Sequence, residues 1–431
     1  MGMCALTVCL HAQEETVNKP SKPGFVREKF GKTYEISDHI KLHHIARHQA
    51  YNRSDSLTYD KDVRSPKSVT LDPQGTCYYV NSLEGFKTVV YDAETHQKVA
   101  TIPHTFTDAD SLLWAEPSGL YTFDYEYEHP NTFSGKPVEA TFTHQGRYLW
   151  VPYYRRNYDL NAQDPSAMAV IDTESHQIIR LFETGALPKM VEASADGKWV
   201  AVSHWGENTV GLIDVSSPDP TQWHYVNNFI VDHKLELKLS RTVPVNRDTN
   251  SGFCLRGTVF TPDGRYLLVG CMGGTGGIAV IDLWTQTYLG RIQGMKRNVR
   301  HLLIHNEWLY LSINKSGYVQ RIKLEKLLDA LPLMEKQTVK VEGWESCKVA
   351  AGARTISITP DGQYIFAACN FGSCLCVVDT HTMKMIGSAP VDSYPVGLDI
   401  APDGRTVYVT SQGRSNGGGN AVNVFEIVID N

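Results

Sequence analysis

The stretch Thr261-Pro262-Asp263-Gly264-Arg265-Tyr266-Leu267-Leu268-Val269 decides how this chain folds, because it recurs. Close copies are Thr359-Pro360-Asp361-Gly362-Gln363-Tyr364 and Ala401-Pro402-Asp403-Gly404-Arg405-Thr406-Val407-Tyr408-Val409. Weaker ones centre on Asp72-Pro73-Gln74-Gly75, Thr143-His144-Gln145-Gly146-Arg147, Ser194-Ala195-Asp196-Gly197 and an eroded Ile304-His305-Asn306-Glu307-Trp308. Each is a turn set between short alternating apolar runs, a hairpin signature in which Gly supplies positive φ. Further on, an apolar pair closes on an acid, as in Val90-Tyr91-Asp92, Val170-Ile171-Asp172, Leu212-Ile213-Asp214, Val280-Ile281-Asp282 and Val377-Val378-Asp379. A polar turn follows (Thr95-His96, Ser175-His176, Thr285-Gln286, His381-Thr382) and then another apolar strand. Each unit therefore holds four antiparallel strands, the content of one propeller blade. Seven units at a mean spacing of about 55 residues predict an all-β, seven-bladed β-propeller. Closing them into a ring removes free sheet edges, which an open sandwich of the same strands would leave.

Tyr78-Tyr79-Val80-Asn81, Val407-Tyr408-Val409-Thr410, the Pro-Asp-Gly turns and the closing Val-Ile-Asp strands resemble the YVTN-type β-propeller repeats. That family occurs in bacterial and archaeal exported and surface-layer proteins and is similar to the seven-bladed lactonase-type propellers. The resemblance covers roughly residues 60 to 430 and implies a fold more than an activity, since propellers host many unrelated functions. No Trp-Asp dipeptide marks the intracellular WD40 type.

The chain has 431 residues, 42% hydrophobic and 20% charged, with a formal net charge of −6. No apolar run reaches the length of a membrane span. Residues 1–12 are apolar and small, like the tail of a signal peptide cleaved after Ala12, and Cys9 offers a weaker lipoprotein reading. Residues 13–55 read as an extension, tether-like where Pro20 and Pro23 fall, and 56–431 as the propeller. The expected location is therefore the periplasm or surface of a bacterium. Cys254 and Cys271 would fall almost opposite each other, either as a disulfide or as two buried thiols, while Cys374 and Cys376 share one strand face as core.

His39, His43, His44 and His48 could bring imidazoles together for a metal only on a helix. Ile40, Leu42 and Ile45 do not make a clean helical face, so this segment instead suggests an outer strand that closes the ring with Val422 to Ile429.

Antiparallel order assigns the Pro-Asp-Gly turns and the Asp-to-Thr turns to one face, and second-to-third-strand and inter-blade connections to the other. The long insertions are expected on the second face. They are Tyr153-Tyr154-Arg155-Arg156-Asn157-Tyr158 continuing to Ser166, Trp223 to Gly252, the Gly-rich runs 273–277 and 413–419, and Trp344-Glu345-Ser346-Cys347.

Seven residues before the middle of each turn, at the start of the innermost strand, stand Lys67, Val138, Lys189, Arg256, Val299 or Arg300, Arg354 and Val396. Innermost strands line the channel, so the cations would ring its mouth. They could lock neighbouring blades through carbonyls, or hold an anion in a focused field. Tyr153, Tyr154, Arg155, Trp205 and Asn370 are further candidates for ligand contact, and Glu139, Glu192, His204 and His301 for acid–base work.

The leading expectation is an exported, non-enzymatic binding or scaffold protein holding an anionic small molecule, a polysaccharide or a protein. A lactonase-like hydrolase, or a quinone-cofactor oxidoreductase, using the same centre is the alternative. Nucleic-acid binding is third, opposed by the negative net charge. No cofactor or metal is expected.

Overall fold

A computed structural model of the chain describes residues 31–123, 127–250, 252–413 and 419–430. The expected signal-peptide tail, Cys9 and the tether up to residue 30 lie outside the described residues, as does most of the 413–419 run.

Seven antiparallel sheets form the blades of a propeller. Counted from the innermost strand outward, blade 1 is Pro66–Leu71, Cys77–Ser82, Lys87–Asp92 and Lys98–Pro103. Blades 3, 4, 5 and 6 begin at Pro188–Ala193, Leu255–Phe260, Val299–His305 and Ala353–Ile358 and repeat that order. Blade 2 starts with the short Thr141–Thr143, preceded by Phe133–Pro137, which pairs with the upper half of Tyr148–Arg156. Blade 7 runs Pro395–Ile400, Thr406–Ser411, Ala421–Ile429, and its fourth strand is Ile40–Gln49 from the other end of the chain.

The turns explain the recurring motif. Gly264 has φ +68, its N–H donates to Thr261 O at 2.8 Å, and Asp263 Oδ1 accepts from Thr261 Oγ1 at 2.5 Å and from the Arg265 N–H at 3.1 Å. Thr359 and Asp361 repeat the arrangement at 2.5 and 3.0 Å. The acid closing each third strand caps the outer turn: Asp282 Oδ1 accepts from the N–H groups of Trp284 and Thr285 at 2.9 and 3.2 Å. Both devices satisfy backbone donors that a tight turn would otherwise strand.

Apolar side chains of adjacent blades interdigitate; Leu267, Val269, Ala279 and Ile281 of blade 4, for example, pack with Ala201, Val210 and Leu212 of blade 3. Hydroxyls add an inter-blade lock. Ser68 Oγ donates to Val138 O (2.6 Å), Ser203 Oγ to Arg256 O (3.3 Å), Ser312 Oγ to Arg354 O (2.5 Å) and Thr355 Oγ1 to Val396 O (2.7 Å).

Three expectations need correction. The segment 324–344 leaves the third strand of blade 5 at the face of short turns, so that face is not uniformly plain. Leu324, Leu327, Leu331 and Met334 bury themselves between blades 4 and 5, and Gln337–Lys340 adds a parallel fifth strand to blade 4. Glu345–Lys348 is then the fourth strand of blade 5, not a loop on the elaborate face. Likewise His224–Ile230 completes blade 3, leaving only 231–254 as insertion.

The histidines are dispersed by their strand. His43 bonds Thr33 at 2.9 Å, His44 stacks on Phe425 at 4.5 Å, and His48 stacks on Tyr91 at 4.0 Å. Cys254 and Cys271 are buried free thiols. Cys376 lies within 3.6 Å of Cys369 and 3.8 Å of Cys374, sulfur to sulfur, against the core between blades 5 and 6. No helix among the described residues is long and apolar enough to cross a membrane.

Candidate functional site

The mouth of the channel is shaped by a recurring bulge. The register of the innermost strand slips at Lys67, Lys189, Arg300 and Val396, and in a wider step across Arg256 and Arg354. A bulged residue escapes the strict alternation of faces and can be re-aimed. Here the peptide carbonyl at the bulge accepts the hydroxyl lock from the preceding blade at Arg256, Arg354 and Val396, and Val138 O accepts the equivalent lock in blade 2. Locking therefore falls to the backbone of these positions. Among the described residues, the side chains of Lys67, Lys189, Arg256 and Arg354 make no hydrogen bond to a neighbouring carbonyl, and Lys67 Nζ and Arg256 Nε are buried without a hydrogen-bond partner.

These cations are 4–7% exposed and act on one another. Burial first, then Arg354, push the Lys67 amine well below its ordinary value, with Arg256 and Arg300 adding to the effect. Burial and Arg256 do the same to Lys189, and burial and Arg354 bring Arg256 down to about 10. Two carboxylates answer them. Glu139 Oε1 lies 3.8 Å from Lys67 Nζ. Asp248, on the exposed 231–254 loop, is held below the usual carboxylate range; partial burial opposes its charge, but Lys189, Arg300, Arg256 and Arg354 outweigh it.

Aromatic faces wall the cluster. Lys189 Nζ sits 3.7 Å from the Tyr154 ring centroid and 5.3 Å from that of Trp205, Arg256 lies 4.6 Å from Trp205, and Arg354 5.8 Å from Tyr394. Arg300 Nη1 approaches the Met272 sulfur at 3.1 Å.

Two insertions are braced together above this wall. Arg247 donates from Nη1 to Asn161 O (2.5 Å) and Ala162 O (2.7 Å) and from Nη2 to Gly206 O (3.2 Å). Asn161 in turn donates to Ser240 O and Val243 O. Residues 240–247 are thereby tied to Asn161, Ala162 and Gly206, next to the exposed Asp248.

The acid–base candidates divide. The charges of Glu139 and Arg300 act on His301, and burial lowers it to about 4, so its imidazole is neutral at pH 7. The Ile356 N–H points at its Nδ1 from 3.5 Å. Glu192 lies farther along an innermost strand, half-buried, and is pushed up to about 8 by burial. His204 is absent from the mouth: fully buried in blade 3, it shares its Nδ1 with Thr209 Oγ1 at 2.9 Å. Tyr153 is also withdrawn, its hydroxyl on His104 Nδ1 at 2.9 Å among Phe106 and Phe133. Arg155 caps its own loop through the carbonyls of Asp159 and Leu160. Asn370 is 3% exposed at the loop-rich end of blade 6, its side-chain oxygen buried and unbonded. Asp248 was not legible beforehand, because it sits in an insertion confined to blade 3; Tyr394 stands just before its innermost strand, where the other blades place Ser65, Leu187, Cys254, Asn298 and Gly352, so no recurring residue type marks it.

Over residues 105–428 the sequence matches the family described as Lactonase, 7-bladed beta-propeller. No curated protein matches the chain. Among solved structures, one from Kuenenia stuttgartiensis hydrazine synthase is similar with a TM-score of 0.60 at 14% identity, over 88% of this chain and 100% of the other. The β-propeller domain of Myceliophteria thermophila Cps50 (Swd1) gives 0.58 at 12%, over 84% and 96%. Such low identity speaks to the fold alone.

Proposed function

The chain belongs to the seven-bladed lactonase β-propeller family, and from that premise we propose that it opens a small anionic lactone at the cationic channel mouth. The observation that carries this reading is the cluster of Lys67, Arg256 and Arg354, withdrawn from water yet lacking carbonyl partners, with half-buried Arg300, Glu139 and His301 acting electrostatically on one another around it. A neutral imidazole next to a carboxylate is equipped to take a proton from attacking water. Guanidinium groups beside it stabilise the oxyanion that forms as the lactone carbonyl becomes tetrahedral, and removing one such donor typically costs about 10²–10³-fold in rate. An anionic substituent on the substrate would be held by the remaining arginine bidentately.

The test is acid release from a panel of sugar-acid and dicarboxylic lactones, followed by pH-stat. Arg256→Ala and Glu139→Gln should each lower kcat/KM about 100-fold on the best substrate. Turnover indifferent to both substitutions would remove the mouth as the active centre.

A binding role without turnover is the second reading, favoured by how little of each cation meets solvent, which suits slow release of a tightly held anion. It is distinguished by a rise in melting temperature with non-hydrolysable anions and no acid release from any lactone. Export to the periplasm or cell surface, in the manner of YVTN-type proteins, belongs with either reading and is checked by fractionation of cells expressing the full chain.

A further inference from the structure

The lysine at the bottom of the cluster carries a second chemistry. Lys67 Nζ is buried and makes no hydrogen bond, and Glu139 at 3.8 Å stands just beyond hydrogen-bonding reach. Arg256, Arg300 and Arg354 act on it from the other blades, and Lys189 feels the same three arginines. Five cations thus act on one another at the mouth with two carboxylates, the half-buried Glu139 and the exposed Asp248. Guanidinium groups do not give up protons in proteins, so the excess positive charge is relieved at a lysine. The two lysines are not equivalent. Lys189 faces the π clouds of Tyr154 and Trp205, which favour an ammonium. Lys67 has no aromatic face against it among the described residues; burial and neighbouring arginines lower both amines, so it is the missing π face, with Glu139 3.8 Å away, that distinguishes Lys67. A desolvated lysine beside other cations is the arrangement that turns an amine into a carbonyl nucleophile.

We propose that Lys67 condenses with the carbonyl carbon of a small oxo acid to form an imine, with Glu139 carrying the protons and Arg256 and Arg354 holding the carboxylate. This rests on the reading that the mouth takes a small organic anion, and not on lactone turnover. The amine nitrogen bonds to the carbonyl carbon as the C=O π pair moves to oxygen. Glu139 takes a proton from nitrogen and passes it to that oxygen, giving a carbinolamine. The C–O bond then breaks as the C=N bond forms, the second nitrogen proton travels by the same carboxylate, and water leaves. Amine plus carbonyl becomes imine plus water, with no change in oxidation state.

The experiment incubates the full chain with pyruvate, with and without cyanoborohydride. Intact mass and peptide mapping read the reduced adduct, and thermal shift without reductant reads binding alone. One adduct per chain on Lys67 is expected, abolished in Lys67→Arg, which keeps a long nitrogen-bearing side chain but cannot form the imine, and slowed at least tenfold in Glu139→Gln. Adducts scattered over exposed lysines and unchanged in Lys67→Arg would overturn the proposal. A melting-temperature rise with no adduct on Lys67 would overturn it while leaving the anion site standing, and the absence of both would remove the two together.

Discussion

Arg47 and Arg256 are almost equally withdrawn from water, at 4% and 6% exposure, yet the molecule treats them in opposite ways. Arg47 lies on the strand that closes the ring. Its Nε and Nη2 reach the two carboxylate oxygens of Asp392 at 3.1 and 2.6 Å, and Asn423 Nδ2 donates to the same acid at 3.1 Å. Arg256 lies at the channel mouth with its Nε unbonded, other cations around it, and carboxylates near but not in contact. A buried charge with its bidentate partner serves structure; a buried charge without one is a cost that a fold tolerates where a ligand supplies the missing anion. The seam is electrically complete, and the mouth is not.

The comparison breaks first at the seam. Asp392→Ala should destabilise the ring by about 3–5 kcal/mol, because it strands Arg47 in the interior. Arg256→Ala should leave urea stability unchanged or raised, since it removes an uncompensated charge. Equal losses in the two variants would mean that the mouth cations are structural after all.

Next in size is binding. Arg256→Ala with Arg354→Ala should weaken a dicarboxylate by about 10–100-fold in calorimetry, in keeping with the loss of charge-assisted contacts. Asp248→Asn moves the other way: with one carboxylate gone from among the cations, anion affinity should rise about 3–10-fold at low salt. That gain should shrink as salt screens it.

A pH-dependent effect sharpens the picture of the channel wall. Burial raises Glu192 from 4.5 to about 8. The stability its neutral form supplies is fully present below pH 4.5 and is lost as pH rises through 8. Gln does not titrate, so Glu192→Gln should gain on the wild type by about 1–3 kcal/mol between pH 5 and pH 8.5 in paired melts.

Much of the architecture was legible because a tight turn leaves little choice: Asp263 and Gly264 answer specific backbone donors and a positive φ. Once seven such turns are counted, antiparallel order places the starts of the innermost strands on the channel. The cation positions followed from that count. What did not follow was side-chain phase. Tyr153 and Tyr154 are neighbours on one strand, and period two sends one into the core and the other under Lys189. A bulge shifts that phase by one residue without any mark in composition. The rim insertion at 324–340 was opaque for a different reason: Leu324, Leu327 and Leu331 pack between two blades in a segment that belongs to no repeat.

The pairing of Ile40–Gln49 with Ala421–Ile429 also sets a timetable. During synthesis the early strand emerges long before its partner, and at about 5–20 residues per second the wait is on the order of 20–80 s. Throughout that interval the segment offers bare N–H and C=O groups to any passing edge. Its polar Lys41, His43, His44, Arg47 and His48, interspersed among Ile40, Leu42, Ile45 and Ala46, then act as a safeguard, keeping a waiting strand wet until the last blade arrives.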